Sequence, residues 1–242
     1  MRICISTNSY GRLLLAFIVT GFFSASVDAL SFRRMDVRCP VGGETFSITA
    51  ITSATYFDKR LDLMPLGPAP APWPLDKCPG NGFVIYKPRF TEDELTRLTK
   101  YAESEEYQVL ARENTNYFLA AKLMEASGDS TTEIAYALLQ ATWEARSSDQ
   151  YRTYARSALA AFDRLLEDQE LQADKRAEAS LVAVELERRL GLFDKAKERL
   201  LAVSRPAALR APMNRMHAAQ LQLVRERNSK PALIPPESKQ SK

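Results

Sequence analysis

The residues best suited to chemistry are two cysteines in matching contexts, "CPVGG" from Cys39 and "CPGNG" from Cys78. Each is half of a Cys-Pro-x-Cys-Gly zinc knuckle, with Gly42 and Asn81 standing where the second thiolates belong. A structural zinc takes four ligands, usually cysteine or histidine. Gly42 has no side chain, an asparagine amide is a poor zinc ligand, and the one histidine, His217, lies far along the chain. The spacing therefore predicts no metal and no cofactor. Two other fates remain for the sulfurs. A redox pair normally sits as Cys-x-x-Cys at a helix start, where the dipole lowers the thiol pKa, and two cysteines far apart in proline turns do not fit that. A Cys39–Cys78 disulfide fits better: two knuckles facing across one metal bring their remaining sulfurs together once each has lost a thiol. Such a bridge closes a loop of about 40 residues, worth roughly 4 kcal/mol on chain-entropy arithmetic.

Hydrolytic chemistry has less to build on. A Ser-His-Asp or Cys-His arrangement would have to use His217, which has no motif around it. A glycosidase needs only two carboxylates, and 30 acidic residues leave that alternative open. The expectation is that no residue is catalytic and that the chain is not an enzyme. The alternatives carried beside it are a carboxylate-based hydrolase and a thiol–disulfide redox protein using Cys39 and Cys78. A formal net charge of +3 with both signs interspersed is unlike the concentrated basic stripe of a nucleic-acid binder.

A disulfide needs an oxidising compartment, and the first residues supply an address. Arg2 and Arg12 precede the apolar run Leu13–Phe23, and Val27 and Ala29 are small residues at the −3 and −1 positions of a signal-peptidase site. The run is shorter than the roughly 20 residues that span a bilayer. Residues 1–29 read as a signal peptide cleaved after Ala29, with a periplasmic or secreted product that has no membrane contact after cleavage. Retention as an N-terminal anchor is the alternative.

Residues 30–90 read as a small ribbon-like β module. Phe46 and Ile48 alternate with Thr45, Ser47 and Thr49, the period of a half-buried strand. "ATYFDKRLDLM" is a second strand candidate, "PLGPAPAPWP" an extended proline loop, and "GFVIYKP" a short strand. Residues 91–226 read as helical. Thr91 with Glu94 and Ser130 with Glu133 form capping boxes. Tyr107, Leu110, Ala111, Asn114, Phe118 and Ala121 follow one helical stripe up to a stop at Gly128. In "LGLFDKAKERLLAVSRP", Gly191, Phe193, Ala196 and Leu200 are spaced like the turn and second helix of a tetratricopeptide repeat, with Pro206 as the stop. Met213, Met216, Ala219 and Leu223 make a final helical stripe. Residues 227–242, polar and proline-bearing, read as a disordered tail. The fold class is α+β, mostly α: a disulfide-stapled β module followed by a tetratricopeptide-like array of helical hairpins.

Taken together, "CPVGG", "CPGNGFVIYK", "FTEDEL" and "ERRLGLFDKAKERL" resemble an uncharacterised bacterial family with an N-terminal zinc ribbon and tetratricopeptide-like helices, over about residues 37–204. The resemblance implies cysteines at 42 and 81, so the family's metal does not carry over, and it implies no reaction. The function expected is recognition of a protein or peptide partner by a helical surface. Tyr107, Tyr117, Tyr136, Trp143 and Tyr151 are candidate contacts, with core packing as their competing role.

Overall fold

The computed structural model describes residues 31–203 and 209–237. The signal peptide expected over 1–29, the stop expected at Pro206 and the last five residues lie outside the described residues. The chain is mostly helical, and among the described residues there are three small antiparallel strand pairs, all before the first helix.

Strand β1 (Ser31–Arg38) pairs with β2 (Thr45–Ser53), Val37 opposite Phe46 and Met35 opposite Ile48. Phe46 and Ile48 are half-buried and their neighbours exposed, the period-two pattern of the sequence. The turn between them is the first knuckle. Cys39 N–H donates to Glu44 O at 2.8 Å and Gly43 N–H to Cys39 O at 3.2 Å. The second knuckle repeats the pattern: Cys78 N–H donates to Phe83 O at 2.8 Å and Gly82 N–H to Cys78 O at 3.0 Å. It lies between β5 (Asp76–Lys77) and β6 (Val84–Ile85). The expected second strand shrinks to β3 (Asp58–Lys59), paired with β4 (Pro65–Leu66). Its end is a turn instead, because the Asp62 carboxylate takes Met64 N–H at 3.3 Å and Leu63 adopts a φ of 65°.

Among the described residues eight helices follow in the order of the chain. Helix α1 (Glu92–Ala102) starts at the Thr91 capping box. The stripe from Tyr107 to Ala121 is not one helix. Ser104 caps α2 (Glu105–Glu113), and Thr115 opens α3 (Asn116–Ser127). The break falls at Asn114 and Thr115, whose backbone and side chains are taken by the buried Tyr154 hydroxyl at 3.1 Å from Thr115 N and from Asn114 Oδ1. Tertiary hydrogen bonds thus override a continuous apolar period. Gly128, left-handed at φ 79°, ends α3. The Ser130–Glu133 box opens α4 (Thr131–Glu144), and Ser147 caps α5 (Ser148–Glu167). Helix α6 (Ala173–Arg189) turns through Gly191 into α7 (Phe193–Ala202), and α8 (Met213–Arg225) closes the array. From α3 to α7 each helix packs on the next, and α8 packs on both α6 and α7.

Two corrections concern how the parts join. The stretch over 30–90 has no core of its own. Cys39, Cys78 and Phe83 share one with Leu98, Ala102, Tyr107, Leu119 and Leu123 of α1–α3. Leu61, from the same stretch, is buried among Leu181, Val184, Leu200 and Met216 of α6–α8. A module of this size holds little apolar surface, so its elements are stabilised by the helices they cover. The second correction is the tail. Residues 228–234 form a strap rather than a disordered end. Leu61 N–H donates to Ala232 O and Ile234 N–H to Lys59 O, both at 2.9 Å, and Ile234 is buried. Beneath the strap, fully buried Arg188 binds Glu185 at 2.9 and 2.5 Å, and donates to Lys230 O at 2.9 Å and to Asn228 O. A polar composition hides this order because the strap is held through its backbone.

Candidate functional site: an arginine-lined groove

The sulfurs expected to bond do so. Cys39 and Cys78 are joined at 2.04 Å with Cα atoms 5.8 Å apart, and each is 1% exposed. Around them the knuckles are cross-tied by groups that zinc ligands would otherwise displace. Asn81 Nδ2 donates to Val41 O at 2.7 Å, and its Oδ1 takes Phe83 N–H at 2.9 Å. Glu44 approaches both sulfurs, but its carboxylate takes Gly80 N–H at 2.8 Å. Two bonded sulfurs, an engaged carboxylate and Gly42 do not fit a tetrahedral metal.

The aromatic candidates divide. Tyr107 is fully buried and donates to Gly82 O at 2.9 Å, posting α2 against the second knuckle. Tyr117, 9% exposed, donates to Trp73 O at 2.9 Å, and burial pushes its hydroxyl up to about 12. Tyr136 is half-buried, bonded to Glu178 and edge-on to Phe162. These three rings pack the interior because each hydroxyl finds an acceptor there, so they are not an exposed contact surface. His217 is likewise buried, with Nε2 3.3 Å from Leu200 O.

Trp143 and Tyr151 lie elsewhere, in the wall of a groove of about 710 Å³. It opens where the α4–α5 turn lies beside the α6–α7 turn. Thr142, Trp143, Ala145 and Arg146 come from the end of α4 and its turn, and Ser147, Ser148, Tyr151 and Arg152 from the start of α5. Arg189, Leu190 and Gly191 come from the end of α6, Arg60 from the β3 stretch, and Ser229 from the strap. Four guanidiniums therefore face one recess, and sequence distance hides the meeting. The local sign was present in "EARSSDQYR" and "ERRLG", where arginines flank both inter-helix turns.

Asp62 organises the deep end. Its side chain, 2% exposed, pairs with Arg60 and with Arg189 at 3.2 Å. Arg189 also lies over the Tyr151 ring, Cζ 4.3 Å from the centroid. Burial raises the Tyr151 hydroxyl, with Arg189 opposing and Asp62 and Glu185 adding, so it stays a neutral phenol at physiological pH. At the rim, Arg152 pairs with exposed Asp149, while among the described residues no carboxylate is hydrogen-bonded to the Arg146 guanidinium. Two donors near the wall, Arg60 Nε and Trp143 Nε1, are shielded from solvent with no hydrogen-bond partner among the described residues. The groove thus presents positive charge and an aromatic face, a set suited to holding an anion rather than to moving a proton.

No family model, curated protein or solved structure matches the chain. The class is set by the fold itself: a mostly helical α+β protein, disulfide-bonded across two knuckle turns. Among the described residues no helix is long and apolar enough to cross a membrane.

Proposed function

We propose that the chain is an exported, non-enzymatic binding or scaffold protein that recognises a protein partner through its tetratricopeptide-like helical half. The observation that carries this reading is the groove, the meeting point of two inter-helix turns, with Trp143 and Tyr151 in its wall and four arginines around it. Its lining contains hydroxyls but no carboxylate, histidine or thiol to act as a base. The disulfide is compatible with an oxidising compartment and with the signal sequence. A redox role for Cys39 and Cys78 is less well supported, because exchange needs a sulfur that an attacking thiolate can reach and both are buried. The left-handed turns at Gly128 and Gly191 support the tetratricopeptide-like reading of the helices.

The test is crosslinked affinity capture of the full chain from its own compartment, read by mass spectrometry, alongside an R146E/R152E chain. The reading requires a specific partner that the charge-reversed chain recovers poorly. Recovery of no specific partner, or of the same partner at the same yield by both chains, would count against it.

A further inference from the structure

The groove also carries information about what enters it. We propose that its ligand is an acidic peptide segment whose carboxylates engage Arg146 and Arg152 at the rim, an inference that rests on the groove being the binding surface.

The charge count is uneven. At the deep end Asp62 pairs with both Arg60 and Arg189. At the rim the Arg152–Asp149 pair is exposed on both sides, a kind of pair that competing anions and water readily exchange. Among the described residues Arg146 has no hydrogen-bonded carboxylate, and its charge acts on Glu144. The start of α5, a helix of 20 residues, points its positive end into the same rim through Ser147 and Ser148. A ligand that supplies negative charge here completes an arrangement the chain leaves unbalanced.

Charge alone would accept any oxyanion, and other features narrow the class. The recess is about 710 Å³, within the range of sites that enclose sizeable ligands rather than one small ion. Its wall is partly aromatic and apolar, from Trp143, Tyr151 and Leu190, and an inorganic anion gains nothing from that surface. A peptide brings aliphatic stems for the aromatic wall and carboxylates for the rim, so one ligand class uses both features.

Trp143 gives the experiment its reporter. The chain has two tryptophans, and Trp73 is half-exposed and uses its backbone carbonyl, not its indole, to hold Tyr117. In a full-length W73F chain, Trp143 fluorescence is titrated with hexaglutamate, hexaglutamine and inorganic phosphate, at low and high salt. The expected result is a saturable change with hexaglutamate that weakens with salt and by about tenfold or more in R146A/R152A. Both arginines are exposed, so the double variant keeps its core. The proposal falls if hexaglutamine binds as well as hexaglutamate, if phosphate alone saturates Trp143, if hexaglutamate gives no change, or if the double variant binds it unchanged. A photo-crosslinker at Ser148 separates the two levels. If it captures a specific partner while hexaglutamate fails to bind, the acidic class is wrong and the binding reading stands; if both fail, both fall.

Discussion

Asn81 donates from its side-chain amide to the carbonyl of Val41 at 2.7 Å, tying the turn that follows Cys78 to the turn that follows Cys39. It occupies one of the two positions where a second thiolate would complete a knuckle, and Gly42 occupies the other. A Cβ on Gly42 would stand 3.3 Å from Asn81 Nδ2, at a φ of 92° that side chains rarely adopt. The two departures from a cysteine knuckle are therefore spatially paired: one residue makes room and the other crosses the gap. Asn81→Ala leaves Val41 O and Phe83 N–H without their partner. The expected loss is about 1–3 kcal/mol, measured as the shift in denaturation midpoint, with the disulfide still intact by mass.

Replacing both cysteines by serine removes a cross-link between residues 39 apart in sequence. The unfolded chain regains its loop entropy, and the variant should lose about 4 kcal/mol, read by urea denaturation of wild type and variant. In reduced wild-type protein, added zinc should restore little of that loss. A full recovery with one zinc per chain would mean that Glu44 and the two thiols form a metal site after all.

Glu144 accepts Tyr117 N–H at 2.9 Å, supplying the first turn of α3 with the side-chain cap that Thr115 does not give. Burial pushes its carboxyl above the ordinary value of 4.5, against the hydrogen bonds from Tyr117 and Thr115 and the charge of Arg146. A carboxyl with a raised folded pKa binds its proton more tightly in the native state. Its contribution to stability is greatest below the unfolded pKa and declines as pH rises through 4.5 towards the folded value. Glu144→Gln keeps an acceptor and should remove that decline, whereas Glu144→Ala should cost about 1 kcal/mol at neutral pH through the lost cap. Thermal melting of the three proteins across acidic pH checks both.

Arg188 joins the array to the strap. It is fully buried, paired with Glu185, and holds the carbonyls of Asn228 and Lys230. Arg188→Met leaves the Glu185 carboxylate buried without its cation, and the expected loss is about 3–5 kcal/mol. Hydrogen exchange should speed up at Leu61 and Ile234, whose amides donate between strap and β3 stretch. The double variant R188M/E185L removes both charges and should recover much of the stability without recovering protection at the strap.

The features legible in the sequence are those decided within a few residues. Thr91 with Glu94, Ser130 with Glu133, and the glycines at 128 and 191 each close a local hydrogen-bond or dihedral requirement, and the structure has them in place. The disulfide was also readable, because each knuckle is a local turn and the chain offers few sulfurs. The groove was not. Asp62 and Arg189 meet across 127 positions of sequence, and nothing near either residue announces the other. Tyr107, Tyr117 and Tyr136 misled for a related reason. Whether a ring lines a surface or fills a core depends on whether its hydroxyl finds an interior acceptor, as Tyr107 does at Gly82 O, and that acceptor is set by the fold.

The central claim, recognition at the arginine-lined groove, is tested most directly by site-specific photo-crosslinking in the full chain. One crosslinker is placed at Ser148 in the groove rim, and a second at exposed Lys175 near the opposite end of α6, about 20 Å from Arg189 along the helix. The account predicts a discrete protein adduct from position 148, absent from position 175 and lost when Arg146 and Arg152 are reversed to glutamate. Equal adducts from both positions, or an adduct at 148 indifferent to the charge reversal, would contradict it.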